Sequence, residues 1–209
     1  MLGVLFFHFV QTTDMASDST TRIEAINSIL SATGDSPVSS LGAEAGLETL
    51  AAEHRLDVDD KEVQAQGWYF NTFDRTYTQD VDGNIFLPPS VLYISGPRNT
   101  RYAIRAGKVF DLLNDTFTFT GKLTLQIIEK LPFEDLPEVA RQYVVALASR
   151  RYADRQLTDP TLSRAVREDE GRAYSALRKA HMRAGNYSVF TVDQRASLSR
   201  GGPVPSRYL

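Results

Sequence analysis

Apolar positions recur at helical spacing up to about residue 66, shorten toward a period of two from Trp68, and return to helical spacing after Leu136. Thr21-Arg22-Ile23-Glu24 has the form of a capping box, in which the Thr oxygen accepts from an early helical amide and the Glu carboxylate reaches back to the cap. A first helix of roughly twelve residues follows, with Ile23, Ile26 and Leu30 on one face and Gly34 and Pro37 as stops. After a connector over Ser39 to Gly42, Ala43 to Gln66 predicts a longer helix with Leu47, Leu50, Leu56 and Val63 on its apolar face. Gly46 weakens its first turn, and Asp57 to Asp60 is a place where it can break. Gly67 suits the position just past the helix, where a left-handed backbone carries no Cβ penalty. Trp68, the only tryptophan, reads as a core anchor under the junction.

Between Trp68 and Asp135 the predicted strands are Tyr69–Tyr77, Asn84–Leu87, Val91–Ser95, Tyr102–Arg105, Val109–Leu112, Thr116–Thr120 and Leu123–Ile128. Asp82-Gly83, Ala106-Gly107 and Asn114-Asp115 supply turn residues that tolerate positive φ, and Pro88-Pro89 and Gly96-Pro97 punctuate the rest. Asp135-Leu136-Pro137-Glu138 then reads as a second cap, with an acidic cap residue, Pro in the first turn and Glu three residues on. The helix it opens carries a stripe of Leu136, Ala140, Tyr143, Val144 and Leu147, with Arg141, Arg150, Arg151 and Arg155 off the stripe or at its end. Asp159-Pro160 caps a fourth helix to about Ala184, with Leu162, Val166, Ala173, Leu177 and Ala180 inward and Gly185-Asn186 at its end. Residues 187–209 have no period and read as an arm that orders only against a partner.

The expected fold class is α+β: an antiparallel helical bundle with an inserted antiparallel β domain, either a meander or a small sandwich, and an extended C-terminal arm. Its parts are an N-terminal extension (1–18), the first part of the bundle (19–67), the β insertion (68–135), the second part of the bundle (136–186) and the arm (187–209).

At 209 residues, 42% hydrophobic and 23% charged, the composition is that of an ordinary globular protein. The absence of Cys removes disulfides, thiolate metal sites and a cysteine nucleophile. Met1 to Val10 is apolar but has no basic flank, is too short for a span and lacks a good cleavage site, so a soluble protein made in the cytosol is expected. Met15 is a second plausible start, and the residues before it can be an upstream extension or an arm on a neighbour. Net charge divides unevenly: residues 1–136 carry 10 Lys and Arg against 19 Asp and Glu, whereas residues 137–209 carry 13 against 7. Opposite charge in the two parts points to complementary faces in an assembly or to a basic end near an acidic partner.

Catalytic and cofactor patterns fail on inspection. His8, His54 and His181 have no zinc spacing. Asp57-x-Asp59 begins like a calcium loop but meets Glu62 and Trp68 where Gly and Glu belong, so a solvated helix is expected there. Asp80 to Asn84 fails the same test and reads as a hairpin tip. Neither Gly107-Lys108 nor Gly121-Lys122 has the glycine spacing of a phosphate-binding loop, and no Gly-x-Ser-x-Gly elbow occurs. No cofactor is expected. Arg150, Arg151, Arg155, Arg164, Arg167 and Arg172 give the C-terminal helices a basic side, interrupted by Glu168-Asp169-Glu170, that fits proximity to DNA or a charged protein contact better than tight DNA binding.

Five blocks in order, Ala25 to Leu41, Val63 to Asn71, Asp82 to Pro88, Arg105 to Asp111 and Leu136 to Tyr143, resemble the tail tubular protein A family of short-tailed bacteriophages over roughly residues 20–186. The resemblance implies a structural, non-enzymatic virion protein: a head-to-tail adaptor in a twelve-fold homo-oligomeric ring, seated between the portal and the tail nozzle (tubular protein B). The resemblance further implies that genomic DNA passes through the lumen without sequence-specific binding, and it suggests a part for the ring in holding tail fibres. It implies a place in the virion tail, with assembly in the host cytoplasm. Composition and position single out Tyr187, Phe190, Arg195, Arg200 and Arg207 as candidate portal-docking residues, and Arg150, Arg151, Arg155, Arg164 and Arg167 as candidate subunit-interface or channel-side residues. The rival readings are a tail-associated glycan hydrolase and a DNA-binding packaging factor.

Overall fold

The local signals at residues 21 to 24 do what their chemistry requires. In the computed structural model, which describes residues 19–42, 46–156 and 160–184 without the side chains of residues 156 and 160–163, helix α1 (Arg22–Ser31) opens on a complete capping box between Thr21 and Glu24. It buries Ala25, Ile26, Ile29 and Leu30 and leaves Ile23 half-buried. Helix α2 (Leu47–Ala65) starts from Gly46 and runs unbroken through Asp57 to Asp60; the expected start at Ala43 lies outside the described residues.

The buried face of α2 differs from the expected one. It consists of Thr49, Ala52, Leu56, Asp59, Asp60, Val63 and Gln64, so Leu47 and Leu50 point outward, at 81% and 42% exposure. Asp59 and Asp60 are buried rather than solvated, because cations from other elements reach them. Carboxylates at core positions hide the helical period from a hydropathy reading.

Helix α3 (Glu138–Gln156) packs against α1, α2 and α4 (Pro160–Ala184). Its stripe of Ala140, Tyr143, Val144 and Leu147 is buried together with Leu136, Ile26, Ile29, Leu56, Trp68 and Leu177. Asp135 is not its cap: Phe133–Asp135 forms a 3-10 turn, Leu136 is extended, and the Pro137 carbonyl accepts from Ala140 and Arg141. Arg141 is also buried, not off the stripe; its guanidinium donates to the backbone carbonyls of Leu136 (2.9 Å), Thr20 (3.0 Å) and Glu134. The Asp159 cap lies outside the described residues.

Five strands form between the helical segments: β1 (Thr72–Thr78), β2 (Val91–Ser95), β3 (Tyr102–Arg105), β4 (Lys108–Asp111) and β5 (Lys122–Glu129). β5 pairs antiparallel with both β1 and β2, giving the order β1-β5-β2, while β3 and β4 make a separate hairpin. That order is not a meander, in which chain neighbours would pair in turn. Both sheets contribute to one apolar cluster of Val91, Ile94, Val109, Leu125 and Ile127 with Ile85 and Leu87.

Two predicted strands do not form. Phe86 makes only an isolated bridge to Lys108, and Pro88-Pro89 removes two donors just beyond it. Thr116 bridges Asp111, but the Thr118 amide turns back to the Thr116 hydroxyl at 3.0 Å, a local bond that competes with a ladder. The fold class is α+β, with four helices and small antiparallel sheets.

The chain passes between helices and sheets through one hydrogen-bonded joint. Gly67, at φ 77°, ends α2 and turns the chain toward β1. The Gln64 side chain donates to Leu131 O at 2.9 Å and accepts from Leu131 N at 2.7 Å. Asn71 donates to Gln64 O at 2.9 Å and Glu129 O at 3.0 Å, and its side-chain oxygen accepts from Trp68 N at 2.8 Å. Lys130 reaches Asp60 at 3.1 Å. The Trp68 indole donates to Val63 O at 2.7 Å and meets His181 edge-on at 5.4 Å, so α4 also packs on this joint.

Candidate assembly surfaces

The arginines of α3 and α4 were the sequence's candidate contact residues, and most are engaged with carboxylates of the same chain. Arg151 pairs with Asp59 and, through both terminal nitrogens, with Glu62 on α2 at 2.6 and 2.7 Å. These bonds hold the Glu62 carboxyl below its usual value and raise the guanidinium above its own. Asp59 also receives Arg55 Nε at 2.7 Å. Arg150 binds Glu170 across the α3–α4 contact and Asp154 one turn on at 2.9 Å, and Arg167 approaches Asp154 at 3.4 Å. Arg164 is 83% exposed and, among the described residues, pairs with Glu168 at 3.2 Å. Arg155 is exposed at the end of α3.

Arg150 and Arg151 therefore sit in clamps between helices, which their positions one residue apart allow by projecting toward α4 and α2. Sequence reasoning missed the acidic halves of these clamps. The i, i+4 pairs Arg55–Asp59 and Arg150–Asp154 were visible in the spacing, but Asp59 lies 92 residues from Arg151. Tyr187, Phe190, Arg195, Arg200 and Arg207 lie outside the described residues.

Positive charge without acidic partners lies elsewhere. Residues 97–110 contain Arg98, Arg101, Arg105 and Lys108 and no carboxylate. Among the described residues none of the four forms an ion pair. Arg105 and Lys108 flank the β3–β4 turn, where Ala106 and Gly107 both take positive φ, 49° and 71°, as a tight hairpin turn requires, and Arg98 and Arg101 lie in the segment that leads into β3. Arg105 lies over the Phe110 ring at 3.9 Å and Lys108 over Phe86 at 4.8 Å. Phe86, Ile104, Leu112 and Leu113 are exposed around them. Asp111, at the other end of the hairpin, accepts from Asn114 Nδ2 and from the amides of Leu113 and Asn114, which holds its carboxyl below the usual range.

Carboxylates concentrate on the helical side. Arg22 pairs with Asp57 at 2.8 Å, and Glu53 and Glu134 add to the negative field on the same guanidinium, whose pKa is raised chiefly by the Asp57 bond. One acid thus contacts this cation and two more add to its field. Glu53 Oε1 is buried without a hydrogen-bond partner among the described residues.

A groove of about 380 Å³ lies between α1, α3 and α4, and its lining includes Ser28, Gln142, Val145, Ser149 and a single carboxylate, Asp169. Among the described residues no group of three or more His, Asp or Glu side chains is arranged to hold a metal ion. No described helix is long and apolar enough to cross a membrane.

Residues 23–187 match the tail tubular protein family, a stretch that runs from α1 to just past α4. Over 127 residues the chain is 32% identical to tail tubular protein A of Klebsiella phage KP34; the match spans 59% of this chain and 66% of the length of that protein. With the family matched across both helical segments and the sheets between them, the chain belongs to the tail tubular protein family and is a structural protein of a phage virion tail.

Proposed function

We propose that the protein is the subunit of a head-to-tail adaptor, a closed ring of identical chains between the portal and the tail nozzle with the genomic DNA running through its centre. The observation that carries this reading is the family match over residues 23–187, which takes in helices, sheets and helices as one unit. In this reading residues 19–67 and 136–186 form one helical unit that faces the portal. Residues 68–135 form an insertion that supports the nozzle, and residues 187–209 are the docking arm, with Tyr187, Phe190, Arg195, Arg200 and Arg207 as its contacts. The separate apolar clusters of the helical part and the sheets are consistent with that division.

The arginine clamps support a lumen that lets DNA slide. Arg150 and Arg151, bound to Glu170, Asp154, Asp59 and Glu62, present little uncompensated charge to a polyanion. Subunits of this kind assemble in the host cytoplasm and help hold the tail fibres. The test is the mass of the purified protein in solution, alone and mixed with portal from the same source, for the full chain and for one stopped after Asn186. A ring-sized particle that forms or is captured with portal, and is lost on truncation, is the expected result. A monomer indifferent to portal overturns the reading.

A further inference from the structure

We propose that the β3–β4 hairpin and its flanks, carrying Arg98, Arg101, Arg105 and Lys108, dock onto the Glu53, Asp57 and Glu134 cluster of a second copy of this chain. This inference rests on the ring reading and names the faces that close it. The two sides of the contact carry excess charge of opposite sign. The hairpin carries Arg105 and Lys108 and the segment before it Arg98 and Arg101, four cations with no ion pair among the described residues. Asp80 and Asp111 in adjoining turns have oxygens already engaged by turn amides, and Asp82 and Asp115 are exposed in the same turns. On the helical side three carboxylates act on the Arg22 guanidinium: Asp57, 54% exposed and paired with it at 2.8 Å, Glu134, exposed, and Glu53, half-buried one turn before Asp57 on α2.

The surroundings of the cations favour a protein partner over a phosphodiester backbone. Phe86 and Leu113, each 56% exposed, and Leu112 and Ile104 border the arginines, a mixture of aromatic, aliphatic and Arg side chains that typifies the centre of a protein interface. Stacking on Phe110 leaves the edge of the Arg105 guanidinium free to donate to a carboxylate. The two faces also lie on different parts of the chain, one on the sheets and one on the helices. A contact between unlike faces is heterologous, and repeated by rotation it closes into a ring.

A charge-swap experiment on the full-length protein tests this. One variant carries Arg101→Glu and Arg105→Glu; the other carries Asp57→Lys and Glu134→Lys. Assembly is read by sedimentation, with portal present if the unaltered protein needs it, and thermal melting confirms that each variant folds. A milder pair, Arg101→Gln and Arg105→Gln, serves if a reversal fails to fold. Each reversal alone lowers assembly at least about tenfold, because the first cancels the positive charge of the hairpin segment and the second sets cations against cations. Mixing the two variants in equal amounts raises assembly above that of either alone, since in an alternating ring half of the contacts are between two unaltered faces and the other half set the introduced Glu side chains against the introduced Lys side chains. Normal assembly by either reversed variant, or failure of the mixture to rescue two folded variants, overturns the inference while leaving the ring reading intact. Failure of the unaltered protein to assemble, even with portal, overturns the ring reading itself. Loss of duplex DNA binding with unchanged assembly assigns the hairpin to nucleic acid and overturns the inference as well.

Discussion

Asp59 and Arg141 are buried charges with opposite solutions to the same problem. Asp59, with no exposed side-chain surface, is neutralised by Arg55 and Arg151. Arg141 instead uses its donors on three backbone carbonyls at the start of α3. Asp59→Asn keeps the shape but leaves two guanidinium groups facing a neutral amide, and a loss of about 3 kcal/mol is expected, as for removal of one partner from a buried pair. Arg141→Met keeps most of the volume but orphans the carbonyls of Leu136, Glu134 and Thr20, with an expected loss of about 3 kcal/mol. Urea unfolding checks both, as a lower midpoint at unchanged slope. Arg164→Ala, which removes only an exposed pair with Glu168, is expected to cost less than about 0.5 kcal/mol in the same assay.

At the level of elements, Gly67 shows how one residue sets a junction. It sits at φ 77°, and a Cβ there would come within 2.7 Å of the Ile128 Cδ1 atom on β5. Gly67→Ala is therefore expected to destabilise by about 1–3 kcal/mol, read as a fall in melting temperature, with the helical circular-dichroism signal retained at low temperature. The residues that mark element ends were legible in the sequence because their chemistry is local: the Thr21–Glu24 box, Gly67, and the Ala106-Gly107 turn all appear where expected. β3 forms over Tyr102–Arg105 as predicted for the same reason. Long-range choices were not legible. β5 lies between β1 and β2 because its two edges pair with strands far back in the chain, which no window of neighbouring residues records. The buried side of α2 was misread because Asp59 and Asp60 occupy it, and the cations that make this tolerable, Arg151 and Lys130, come from α3 and the end of β5. The candidate arginines were found from composition, but their acidic partners, and the hairpin cations that have none, emerge only from the three-dimensional arrangement.

Across the whole molecule, several carboxylates are more acidic folded than unfolded. Glu62 is lowered by its bonds to Arg151, Asp111 by those from Asn114 and Leu113; Glu138, despite burial that opposes ionisation, is lowered by hydrogen bonds from Thr20 and Gln142. A depressed folded pKa means that the unfolded chain binds more protons as pH falls. The stabilisation is thus complete above the unfolded values and lost as pH drops through the folded ones. Melting temperature is expected to hold steady above about pH 5 and to fall below about pH 4, and a melting series across that range checks it. The Gln64 and Asn71 joint has a mechanical consequence at this same scale. Because it ties the outgoing chain after α2 and the returning chain after β5 side by side, a pull on the sheets loads both crossings together. Bonds loaded in parallel shear as a group and do not unzip singly, so drawing the sheets away from the helices means breaking these bonds together.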